Sequence, residues 1–193
     1  STRLGLKGIP SLAEKIIVER DLSFLEEYHC KYHISQISSK KTLSTIKKAK
    51  EEGKIFSTGV SINNLSLNEN DIGDFRTFLK LSPPLRTEQD RLSLINAIGE
   101  GLIEVIVSDH KPEDEESKRL TFAQAATGAT GIETLLPLAL ELFHNGSLKL
   151  NKIIASITSN PAKILGIDKG SLQIGRDADL CVVDINKPWV VNK

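Results

Sequence analysis

Apolar positions recur with helical spacing over residues 11–27, "SLAEKIIVERDLSFLEE", where Leu12, Ile16, Val18, Leu22 and Leu25 fall roughly on one face. The next stretch, "KYHISQIS", alternates as a strand does, with Tyr32, Ile34 and Gln36 on one side and His33, Ser35 and Ile37 on the other. A helix is predicted at 41–52, stopped by Gly53, and a strand at 54–60 leads into the loop "SINNLSLNEN". A short extended element at 76–81 runs into "SPPLR", whose two prolines forbid further ladder pairing. "TEQDRLSLINAIGEG" reads as a helix with Thr87 as its N-cap, and a strand follows at 103–107. "GIETLLPLALELFHNG" and "LNKIIASITSNPAKILG" are amphipathic helices, each closed by glycine. The tail alternates like antiparallel strands over 170–192, with turns at Gly170, Gly175 and Asn186-Lys187-Pro188.

Strands alternating with helices imply βα units and a parallel sheet, so the expected class is α/β. A complete (β/α)8 barrel takes about 250 residues, and this chain has room for about half of one. The expected division is a half-barrel over residues 1–168 and the strands of a small β-domain over 169–193. Barrel chemistry gathers at the C-terminal strand ends, where the sequence places polar side chains: Gln36, Ser61 to Asn64, Ser82, and Asp109-His110. The last pair stands out, because Val105-Ile106-Val107 empties directly into it and a buried carboxylate without a partner is costly.

Composition narrows the function. The chain has 193 residues, 39% hydrophobic, with 25 basic and 25 acidic side chains. Zero net charge gives no electrostatic reason to expect nucleic acid or an anionic membrane as partner. The basic cluster Lys40-Lys41 and Lys47-Lys48-Lys50 is read as a solvated helix face, and no apolar run approaches the roughly 20 residues of a membrane span. Cys30 and Cys181 lie far apart with no CxxC partner, which suits reduced thiols in the cytoplasm, and they are expected to be small buried or half-buried apolar groups. Ser1 is not a natural start, which suggests a piece of a longer chain. His33 is expected to pack inside the strand layer, and His29 and His144 to be exposed. The loop 110–131, "HKPEDEESKRLTFAQAATGATG", is too long for a plain connector, and its charged front half is expected to be mobile.

Four motifs in order, "SPPLR", "IVSDHKP", "FAQAATGATGIETLLPL" and "GIDKGSLQIGRDADLCVVD", together with "LGLKGIP" near the start, resemble the dihydroorotases, cyclic amidohydrolases of pyrimidine biosynthesis. The resemblance runs through nearly the whole chain and corresponds to the second half of that family: barrel strands five to eight and the C-terminal part of a small β-domain. It implies hydrolysis of a cyclic amide at one or two zinc ions, with an Asp at the end of strand eight that moves the proton. That Asp matches Asp109. The strand-five and strand-six histidine ligands fall on Gln36 and Asn64. The Asn before Pro-Pro-Leu-Arg is Ser82 here, and the last His of the Asp-His-Ala-Pro-His pattern is Glu113, whose charge would repel an anionic substrate. The pattern resembles the non-catalytic type, which implies a vestigial metal site with no cofactor bound, and a role as partner of aspartate carbamoyltransferase in a homodimer or larger complex. The alternatives are an active zinc-dependent dihydroorotase and an amidohydrolase acting on another cyclic amide.

Overall fold

A computed structural model describes residues 5, 6, 8–188 and 190. Three strands, β1 (His33–Ile34), β2 (Ser57–Ser61) and β3 (Val105–Val107), form a parallel sheet in the order β1-β2-β3. Ile34 is in register with Thr58, and Gly59 to Ser61 with Val105 to Val107. The first pairing extends past the formal strand through Ile37 N–H, which donates to the Gly59 carbonyl at 2.9 Å. Parallel strands need long crossovers. Here α1 (Ser11–Glu27) leads into β1, α2 (Lys40–Glu51) joins β1 to β2, and α4 (Glu88–Glu100) precedes β3.

The expected strand at 76–81 does not form. Thr77–Leu79 is a 3-10 turn, and β3 pairs directly with β2, with Glu104 N–H donating to the Thr58 carbonyl at 3.1 Å. The place beside β2 is therefore taken, and Phe78 is exposed. No strand forms over the described part of 170–190, so the alternation of the tail has no ladder partner there. Residues 189 and 191–192 of that expected sheet lie outside the described residues.

Local signals explain the helices well. Ser39 Oγ accepts from Lys41 N–H at the start of α2, whose buried face is Thr42, Leu43, Ile46 and Ala49. Thr87 caps α4 as expected, in a reciprocal arrangement with Asp90. The predicted single helix over 150–166 is two: α7 (Leu150–Ile157) and α8 (Ser159–Leu165), broken at Thr158. Pro161 cannot supply an N–H to a continuous helix but fits the first turn of a new one. The break also frees Asn160 Nδ2 to donate to the Glu104 carbonyl at 2.8 Å.

The core runs along the sheet and its helices through Ile37, Ile46, Val60, Leu94, Ile98, Ile103, Ile106 and Ile153. Glycine is required at Gly59, where a Cβ would sit 2.5 Å from the Ser35 carbonyl oxygen. The basic cluster reads correctly except at one residue. Lys40, Lys41, Lys47 and Lys48 are exposed, whereas Lys50 is half-buried and donates to the Leu102 carbonyl and the Glu104 carboxylate. Cys30 and Cys181, expected to be covered, are both exposed free thiols. Among the described residues no helix is long and apolar enough to cross a membrane.

Candidate functional site at the strand ends

The chain leaves β3 through a left-handed residue, Asp109, at φ 51. Aspartate adopts this conformation more readily than most residues because its short side chain bonds locally. Here the bond is to the neighbouring strand end: Gln36 Nε2 donates to Asp109 Oδ1 at 2.7 Å. The carboxylate is half-buried and has a partner, which resolves the apparent cost of an acid at the end of an apolar strand.

His110 is exposed, and its Nδ1 accepts from Gly131 N–H at 3.1 Å and Ile132 N–H at 3.2 Å. Alongside, Lys111 N–H donates to the Ala129 carbonyl at 2.8 Å. The end of the long loop is thereby zipped against the residues just after β3. Gly131 makes the approach possible, since a Cβ there would lie 2.2 Å from the Ser108 carbonyl oxygen.

Asn64 lies in α3 (Ile62–Ser66), directly after β2, and is only 2% exposed. Its Nδ2 donates to the Pro84 carbonyl at 3.1 Å, while among the described residues Oδ1 has no protein donor. Asn63 is also buried, and its Nδ2 has no acceptor among the described residues. Ser82 is exposed, two residues before the carbonyl that Asn64 binds. Glu113 is half-buried and spends its charge on Lys111 of its own loop, Nζ to Oε1 3.4 Å. Of the five candidate residues, the structure joins Gln36 to Asp109 directly and ties Asn64 to the SPPLR segment that carries Ser82.

These strand ends suit zinc poorly. Zinc takes imidazole, thiolate or carboxylate, and neutral amides compete weakly for it. One amide here already commits its N–H to the carboxylate that would serve as ligand. Among the described residues no group of three or more His, Cys, Asp and Glu side chains converges in a metal-holding arrangement.

The other histidines are structural or peripheral. His33 opens β1, and its Nδ1 lies 2.7 Å from Ser57 Oγ. Burial pushes its pKa below the ordinary value, with Glu104 opposing in part. His29 is exposed, and His144 is exposed with Nε2 2.8 Å from the Ile185 carbonyl.

The contacts of three further residues were not legible in the sequence. Glu14 of α1 accepts from Ser38 and Ser39 N–H, each at 3.1 Å, and from Thr42 Oγ1 at 2.6 Å. Arg86 of the SPPLR segment reaches the same place, Nε to Ser38 Oγ 3.1 Å and Nη2 to Glu14 Oε2 3.9 Å. Lys118, whose charge suggests a surface residue, is 4% exposed. The sequence marks Arg86 only as part of SPPLR and does not mark Glu14 or Lys118, because their partners are distant in the chain.

A model of the amidohydrolase family matches residues 9–193. The chain belongs to the amidohydrolase family. Among curated relatives it is 40% identical to the dihydroorotase of Ehrlichia canis and 41% identical to that of Ehrlichia chaffeensis, in each case over all of this chain and 43% of the relative. The chain thus spans less than half the length of the relatives it matches. Among solved structures, L-hydantoinase from Arthrobacter aurescens superposes with a TM-score of 0.83 at 28% identity, covering 88% of this chain and 39% of that one. Dihydropyrimidinase from Brevibacillus agri gives 0.81 at 24% identity over 88% of this chain and 39% of that one, a likeness of fold alone. The parallel sheet and its helices are part of a barrel of this class, and the resemblance to dihydroorotase holds along the whole chain.

Proposed function

We propose that this chain is a dihydroorotase-type segment whose metal positions have been given over to amides, and that it acts in the cytoplasm as a non-catalytic partner of aspartate carbamoyltransferase. The carrying observation is the 2.7 Å bond from Gln36 Nε2 to Asp109 Oδ1. In a working site that carboxylate would face metal-bound water and exchange its proton; here it accepts from a neutral amide that cannot take up a proton at ordinary pH. Asn64 supports the same reading, because its amide is buried against the Pro84 carbonyl. The choice of partner rests on the resemblance of the altered positions Gln36, Asn64, Ser82 and Glu113 to the non-catalytic type.

The second reading is an active zinc-dependent dihydroorotase, or an amidohydrolase for another cyclic amide. It is favoured by the 40% identity to relatives named dihydroorotase along all of this chain. Metal analysis and a dihydroorotate hydrolysis assay on the protein as expressed separate the two. The expected outcome is no zinc dependent on Asp109 and no hydrolysis. Stoichiometric zinc lost on Asp109→Ala, with activity lost in parallel, overturns the silent reading. Co-sedimentation with aspartate carbamoyltransferase tests the partner, and absence of a complex at micromolar concentrations rejects it.

A further inference from the structure

The long loop after β3 contains a short helix, α5 (Glu115–Lys118), in its charged front half. Lys118 points inward. Its Nζ donates to the Ala126 carbonyl at 2.9 Å and the Thr77 carbonyl at 3.2 Å, and Thr77 Oγ1 donates back to the Lys118 carbonyl at 2.5 Å. Among the described residues no carboxylate lies within ion-pair distance of it. A second lysine repeats the pattern: Lys80 Nζ donates to the Ala123 carbonyl at 2.8 Å and the Ala125 carbonyl at 2.7 Å. The Lys80 carbonyl in turn accepts from Gly128 N–H at 2.9 Å.

A buried ammonium hydrogen-bonded only to neutral carbonyls among the described residues, with Glu113 attracting it at longer range, is an expensive way to fill space, since an apolar side chain of similar length would pack there without desolvating a charge. What the ammonium supplies, and an apolar chain cannot, is two donors that bridge separate segments. We propose that Lys118 is a positioning residue whose buried ammonium pins the 110–131 loop to the 77–80 turn, with Lys80 as a second pin, making the loop a fixed strap beside the strand ends rather than a lid. Its far end is closed by the packing of Gly131 and Ile132 on His110. The desolvation that lowers the Lys118 pKa is the same cost viewed from the proton.

Hydrogen exchange on wild type, Lys118→Met and Lys80→Met, with thermal melts of each, tests the assignment. In Lys118→Met the amides of Ala126 and Gly128 should exchange about tenfold faster while those of α2 and α4 keep their rates, the mark of regional opening. The melting temperature should hold or rise, because the buried charge is gone. Lys80→Met, which removes the less buried pin, should open the same amides to a smaller extent. Unchanged exchange at Ala126 and Gly128 in both variants overturns the proposal. So does acceleration in α2 and α4 in step with the loop, which would make Lys118 a general packing residue. Should Lys118→Met not fold, Lys80→Met alone decides, and unchanged loop exchange in it rejects the strap.

Discussion

One short strand carries a carboxylate at each end, and the two are held very differently. Glu104, just before β3, accepts from Thr58 N–H and Thr58 Oγ1, both at 2.8 Å, and from Lys50 Nζ. Its own carbonyl is taken by Asn160. Among the described residues, Asp109, just after the strand, has one side-chain donor, the Gln36 amide, and Asn64, after β2, keeps a buried oxygen with no protein donor. Among the described residues, Glu104 at the N-terminal end of β3 is engaged on its carboxylate and its carbonyl, whereas the C-terminal end leaves capacity unused. In barrels, residues at the N-terminal face serve stability and those at the C-terminal face serve chemistry. The contrast holds here with amides, Gln36 and Asn64, at the C-terminal end.

Perturbing the two ends should break this symmetry of position in a graded way. The largest effect is expected from Glu104→Ala, which leaves the Thr58 N–H without its acceptor and reduces Lys50 to its bond with the Leu102 carbonyl. Charge-assisted bonds in a half-buried place suggest a loss of about 2–3 kcal/mol in a urea titration. A loss below about 0.5 kcal/mol would refute the claim that this end carries the stability.

Gly131→Ala comes next. The added methyl would sit on the Ser108 carbonyl, so the loop end must shift. Overpacking of this kind costs about 1–3 kcal/mol. It should also weaken the His110 bonds to Gly131 and Ile132, read out as faster exchange of those two amides.

A smaller effect concerns pH. Burial depresses the folded pKa of His33 below the ordinary value of about 6.5. The folded state therefore binds fewer protons than the unfolded chain between the depressed value and about 6.5, so stability should rise with pH through that window and fall on acidification. His33→Gln should remove that slope from the stability profile below neutrality, and an unchanged slope would place the titrating group elsewhere.

Asp109→Asn should have the smallest effect of all, under about 1 kcal/mol, because one neutral-donor bond at a half-exposed site is easily replaced by water. A loss comparable to Glu104→Ala would erase the contrast between the two ends.

Much of this protein can be read before it folds. The 3.6-residue spacing located α1, α2 and α4, and Thr87 announced its cap, because these depend on contacts within one turn of chain. Alternation located β1 and the β-branched run Val105-Ile106-Val107 located β3, and order along the chain alone placed Gln36 and Asp109 at strand ends. Other features were decided by tertiary structure. Residues 76–81 look extended, yet β2 is already paired with β3, so the segment turns instead. Lys118 looks like a solvated charge, yet the carbonyls of Thr77 and Ala126 converge on it. Gln36 and Asp109 could each be named from sequence, but their bond requires two strands to be laid in register by β2 between them. Local signals settle what a residue and its near neighbours settle together. Which distant groups meet, and so whether a buried charge or amide finds a partner, is fixed only when the chain closes.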